Sequence, residues 1–137
     1  MNRSDLQNLA NVRLAESTSL LLAGHPNGAY YLAGYSVECA LKAVIASQTQ
    51  LHEFPDKQRA NDSFVHDLER LAKVARLTEP LQVALRKNSR FQRNWATVVE
   101  WSETARYNVY SIRDAEAIIG AVGDRTEGVL LWITQFW

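Results

Sequence analysis

The sequence predicts an all-α domain, and three observations carry that expectation. Apolar residues recur at three- and four-residue steps along most of the chain, and no stretch alternates with the period of a strand. The three prolines and six glycines fall mostly between the helical stretches. The 137 residues read as a single domain, 1–137, built as an up-and-down bundle of four long helices plus one short helix.

Ser4 with Gln7 forms the pattern of a capping box, opening a first helix through Leu6, Leu9, Arg13, Glu16 and Leu20. Gly24-His25-Pro26-Asn27-Gly28 stops it and starts the next, and so short a link predicts antiparallel neighbours. The second helix, residues 29–46, has the clearest period: Tyr30, Gly34, Val37, Leu41 and Val44 form an apolar face widened by Ala33, Ala40 and Ile45. Glu38 and Lys42 stand one turn apart on it and can pair. Gln50 to Asp62 shows no period and reads as an exposed loop.

A third helix follows with Leu68, Leu71, Ala72 and Ala75 inward, and Thr78-Glu79-Pro80 opens a short fourth. Asn88-Ser89 punctuates the chain before Phe91, Trp95, Val98 and Val99, while Trp101 to Tyr110 holds no period. Ser111 with Asp114 is a second capping box, opening a last helix on Ile112, Ala115, Ile119, Val122, Val129 and Ile133. Gly120, Gly123 and Gly128 each weaken that helix by about 1 kcal/mol relative to alanine, so it needs tertiary support.

Composition excludes several classes. A hydrophobic fraction of 47% and a charged fraction of 22% are those of a globular chain, not a disordered one. The formal net charge of zero gives no whole-protein basic field for nucleic acid. Cys39 is the only cysteine, which rules out an internal disulfide and a Cys-rich zinc site. No apolar run reaches the roughly 18 residues that cross a bilayer, and the polar start lacks a signal-peptide core. These readings predict a cytoplasmic protein with no membrane partner, and nothing in the residue pattern asks for a cofactor or metal.

Three segments resemble a known family. Ala29-Tyr30-Tyr31-Leu32-Ala33-Gly34-Tyr35-Ser36-Val37-Glu38-Cys39-Ala40-Leu41-Lys42-Ala43 resembles the small-aromatic, then Glu-x-x-Leu-Lys-Ala helix of the HEPN domains. His66-Asp67-Leu68-Glu69-Arg70-Leu71 is similar to the His-Asp-Leu-x-x-Leu that opens that family's third helix. Trp101-Ser102-Glu103-Thr104-Ala105-Arg106-Tyr107 resembles the Arg-Tyr element before its final helix. The three stand in the family's order and together span most of residues 10–135.

The resemblance implies a helical bundle that homodimerises. It also implies one of several roles: a metal-independent ribonuclease or toxin, the companion of a nucleotidyltransferase-type protein, or a module binding nucleotide or RNA in defence or stress response. The ribonuclease branch carries an Arg, four to six residues, then His near the last helix. Here the positions after Arg106 at that spacing are Ser111, Ile112 and Arg113, and no histidine lies beyond His66. The sequence therefore places this chain in the branch without that motif, and Arg59 with His66 meets the spacing by coincidence.

Arg106 is the foremost functional candidate, with two open readings: a planar donor fork for phosphate, or the partner of a buried Glu38. Glu38, Lys42, Arg106 and Tyr107 are the expected ligand-binding residues. Arg106 and His66 are the weak candidates for catalysis. His66 and Asp67 also read as a helix cap, Tyr107 (against its ligand-binding reading) and Tyr110 as packing, and Cys39 as buried filler. From Arg59 to Arg93 eight basic residues stand against four acids, a stretch suited to RNA, an acidic partner or a solvated face. The bulky C-terminus Val129 to Trp137 presents apolar residues on several helical faces and predicts a homodimer interface. Two function classes stay open: a non-enzymatic binding module, and a ribonuclease with a non-standard site.

Overall fold

Helix α1, Arg3–Leu22, is opened by Asn2, whose side chain accepts the Asp5 N–H at 3.0 Å while the Asp5 carboxylate accepts the Asn2 N–H at 2.9 Å. The capping box therefore stands two residues before the expected Ser4–Gln7 pair, with an acid in the first turn facing the helix dipole. At its far end Gly24 takes φ +84°, the His25 N–H donates to the Leu20 carbonyl, and the Gly24 N–H donates to that of Leu21. This is a Schellman ending, which needs a left-handed residue and finds glycine. Pro26 then starts α2, Pro26–Ser47, at once.

The two long helices run antiparallel, locked by two buried hydroxyls. Ser17 Oγ donates to the Ala29 carbonyl at 2.5 Å, and Ser36 Oγ donates to that of Ala10 at 2.6 Å. In the computed structural model, which covers residues 1–137, α2 is the central element, with Ala33, Val37, Leu41 and Val44 fully buried. Around it pack α4 (Leu68–Val74), a 3-10 helix (Glu103–Tyr107), α7 (Ile112–Gly123) and α8 (Val129–Thr134). The remaining elements are α3 (Lys57–Ser63), α5 (Thr78–Lys87) and α6 (Ser89–Val99), and no residue lies in a strand. The all-α class holds, but eight α-helices replace the expected four long and one short.

Three local differences account for that count. Asp56 accepts the Arg59 N–H and opens α3 inside the stretch expected to be a loop; none of its residues is buried, so it carries no apolar period to read. Asn88 ends α5 and caps α6 by accepting the Phe91 N–H at 2.9 Å, as its punctuating position predicted. The last helix, expected to be continuous from Ile112 to Ile133, breaks after Gly123. There the Asp124 carboxylate accepts the N–H groups of Thr126 and Glu127 together with the Arg90 and Asn94 side chains. A Cβ at Gly128 would lie 2.3 Å from the Asp124 carbonyl oxygen, so only glycine closes this corner.

Much of the C-terminal segment is covered within the chain, while Leu131 is 44% exposed. Val129, Leu130, Trp132 and Ile133 are buried within the chain, and the Trp132 ring lies 5.3 Å from Phe91 and 5.1 Å from Phe136. The break after α7 folds α8 back onto α2 and α6. No helix is long and apolar enough to cross a membrane.

Candidate functional site

Burying Glu38 sets the problem that this site solves. Its side chain is 1% exposed on the core helix, and a buried carboxylate is costly unless cations and hydrogen-bond donors surround it. Two groups answer. Lys42, one turn on, places Nζ 2.7 Å from Glu38 Oε1. His66 places Nδ1 3.0 Å from both Glu38 oxygens. The Glu38–Lys42 pairing is the one the sequence predicted; the pairing of Glu38 with Arg106 is not formed.

His66 reaches Glu38 because Asp67 caps α4. The Asp67 carboxylate accepts the Arg70 N–H at 2.8 Å, so His66 sits just before the helix with its ring free to reach α2. His66 was expected to share the capping role; Asp67 holds it alone.

The other ring nitrogen of His66, Nε2, lies 3.1 Å from Glu103 Oε2 at the head of the 3-10 helix. Glu103 was not singled out from the sequence, although it stands inside the Trp-Ser-Glu-Thr-Ala-Arg-Tyr segment. Its position is set by Trp101. That residue's Nε1–H donates to the Tyr31 carbonyl at 3.1 Å, and its ring lies flat over Gly34. A Cβ at Gly34 would stand 2.2 Å from the ring, so Gly34 is glycine because Trp101 occupies that space. Trp101 thus pins the 3-10 helix to α2 and brings Glu103 to His66.

The result is a carboxylate–imidazole–carboxylate chain from the core to the surface, tied to Lys42. His66 is 38% exposed and Lys42 22%, so the chain opens to solvent on one side. His66 Nδ1 is engaged by Glu38 and Nε2 stands beside Glu103, so each ring nitrogen faces a carboxylate. Glu38 and Glu103 face opposite nitrogens of the ring, so the three groups cannot converge on one metal ion, and no His/Cys/Asp/Glu group has that disposition elsewhere. Lys42 also borders a groove of about 460 Å³ whose apolar side includes Leu6, Leu9, Tyr35, Cys39 and Phe64. Burial, with the nearby Glu38 charge adding to it, pushes the Cys39 thiol up to about 11, which leaves it protonated and inert. The same burial raises Tyr35.

The expected ligand-binding residues therefore fall into two groups. Glu38 and Lys42 belong to the chain just described. Arg106 and Tyr107 lie on the same 3-10 helix as Glu103 but on the solvent side, and Tyr107 is 76% exposed. The Arg106 guanidinium lies over the Tyr107 ring, 5.0 Å from its centroid, and no carboxylate comes within ion-pair distance of it. Tyr110 instead packs, its ring stacked at 3.7 Å and 11° on buried Tyr30. Burial and that neighbour push Tyr30 up to about 12.

No family model matches the chain, and no curated protein or solved structure matches it either.

Proposed function

We propose that the chain is a HEPN-type helical module that binds RNA or a nucleotide through Arg106 and Tyr107 and does not cleave it. One observation carries this reading: Arg106 on the 3-10 helix forms no ion pair, and it lies beside an exposed aromatic ring. A guanidinium fork takes two phosphate oxygens, and a free aromatic face takes a base by stacking, worth about 1–3 kcal/mol per base. His66, held between two carboxylates, supports the binding side of the choice, because its ring is occupied as a clamp. A homodimer and a nucleotidyltransferase-type partner belong to the same reading through the resemblance alone.

Fluorescence anisotropy with a labelled single-stranded oligoribonucleotide tests it. Arg106→Ala and Tyr107→Ala each weaken binding about tenfold, and Arg106→Ala lowers the slope of log affinity against log salt by about 1. Equal affinity in wild type and both variants sinks the proposal.

The ribonuclease alternative also has a specific support. The N-terminus of α4 does reach the turn that carries Arg106, and Glu38 orients His66 Nδ1 as a general base requires. If Glu103 swings into solvent, Nε2 becomes free to accept a 2′-OH proton while Arg106 steadies the phosphate.

A further inference from the structure

A second cavity lies between the end of α2, α3 and the turn after α4; it contains none of Glu38, His66 and Glu103, though it adjoins the groove beside Lys42 through Ile45, Thr49, Ala60 and Ser63. It encloses about 240 Å³, and Arg59 and Arg76 are the only cations on its wall. Three observations set these two apart from ordinary surface arginines.

Arg76 occupies the position after the α4 cap with φ 59°. The Leu77 N–H donates to the Ala72 carbonyl and the Arg76 N–H to that of Lys73, the same Schellman ending that Gly24 makes after α1. Glycine takes this conformation freely, whereas a residue with a Cβ is held in it at a cost in stability. The fold therefore keeps a strained arginine where a glycine would serve the backbone better.

Arg59 is half-buried, its guanidinium tethered at one end by donation to the Gln48 side-chain oxygen. Its Nε–H is buried and has no acceptor in the folded chain, the single such buried side-chain polar atom in the protein. Gln48 is itself fixed, donating to the Ala75 carbonyl at 2.7 Å, so the tether ties Arg59 to the strained turn.

The carboxylates on the wall do not neutralise these arginines. Asp56 accepts the Arg59 backbone N–H and Glu53 accepts that of Gln50, and neither comes within ion-pair distance of a guanidinium. The hydroxyls of Thr49 and Ser63 donate to backbone carbonyls, so the arginines are the free donors. Ile45, Pro55 and Ala60 give the rest of the wall its apolar character, and Phe54, 92% exposed, stands at it with its ring open to solvent.

We propose that this cavity binds a small organic anion, with one phosphate or carboxylate head on Arg59 and Arg76 and an apolar or aromatic body against Ile45, Pro55 and Phe54. The head supplies a counter-charge for both cations and acceptors for their terminal guanidinium N–H groups. Arg76 keeps its strained backbone because its guanidinium is used.

The strain itself provides the clean test. Arg76→Gly relieves the left-handed turn, so it folds with a melting temperature equal to or above that of the wild type while removing half of the anion site. The Arg59 Nε–Hε resonance is followed by NMR during titration with phenyl phosphate, benzoate and inorganic phosphate, with thermal shift in parallel. Phenyl phosphate or benzoate shifts that resonance and raises the melting temperature of the wild type, and whichever acts more strongly identifies the head. Inorganic phosphate, without an apolar body, acts at least tenfold more weakly. Arg76→Gly, fully folded, loses the response at least tenfold, and Arg59→Gln loses the thermal shift. The proposal is overturned if no probe moves the Arg59 resonance, if inorganic phosphate matches phenyl phosphate, or if Arg76→Gly responds as the wild type does.

Discussion

Replacing Glu38 by glutamine keeps the side chain's volume and removes its charge. In the folded chain the Glu38 carboxylate accepts from Lys42 Nζ at 2.7 Å and from His66 Nδ1 at 3.0 Å. Oε1 accepts from both Lys42 and His66, so a carboxamide oxygen there keeps both contacts without charge assistance and sets its N–H₂ against the second His66 Nδ1 contact. A hydrogen bond to a charged group contributes about 1.5–3 kcal/mol net, and stranding a buried partner adds to the loss. Lys42 and His66, at 22% and 38% exposure, can turn part-way to water, which discounts that second term. The expected destabilisation is about 2–4 kcal/mol, or on the order of 10 °C in melting temperature for a domain of this size. Urea denaturation followed by tryptophan fluorescence reads it as a lower midpoint at unchanged m-value. Glu38→Leu combined with Lys42→Met should recover part of the loss, since a well-packed apolar pair can replace a buried ion pair. A Glu38→Gln midpoint within about 0.5 kcal/mol of wild type would refute the view that this carboxylate organises the site.

Further outcomes follow from the same geometry. Gly34→Ala drives a Cβ into the Trp101 ring and should cost at least about 1–3 kcal/mol, with a red shift of Trp101 emission as the 3-10 helix lifts. Arg106→Ala should leave the melting temperature unchanged, because nothing in the fold depends on that guanidinium; a clear drop would return Arg106 to a structural role. Asp124 is held well below the usual carboxylate range, first by the Thr126 N–H and then by Glu127, Asn94 and Arg90. A depressed group stabilises the fold above its unfolded value, near 3.9, and loses that contribution as pH falls toward the folded value. The stability gap between wild type and Asp124→Asn should therefore be constant at neutral pH and narrow below about pH 4, as pH-dependent urea midpoints would show.

Helix α2 was legible because its burial is continuous: every turn repeats the apolar step, and Glu38 and Lys42 stand at pairing distance within it. The Ser111–Asp114 cap and the Asn88 boundary were legible because capping is local chemistry. Helix α3 was not, since no residue of it is buried in the core and a helix without a core face shows no apolar period. The break before α8 was hinted at by Gly123 and Gly128, but its cause is Asp124 gathering Arg90 and Asn94 from a separate helix. The buried Glu38 did demand a cation, as its apolar neighbours implied. Which cation answered depended on where Asp67 and Trp101 placed α4 and the 3-10 helix, and contacts so far apart in the chain leave no local signature. Glu103 escaped notice for that reason.

The central claim is that this chain holds RNA or a nucleotide at Arg106 and Tyr107 without cutting it. The most direct measurement incubates an end-labelled single-stranded RNA with the purified protein in EDTA, then reads bound fraction and RNA length on the same sample. The expected result is binding by the wild type that Arg106→Ala weakens about tenfold, with the RNA recovered at full length from both. Robust cleavage by the wild type, abolished in His66→Ala, would contradict it and show that His66 is a base released from Glu103.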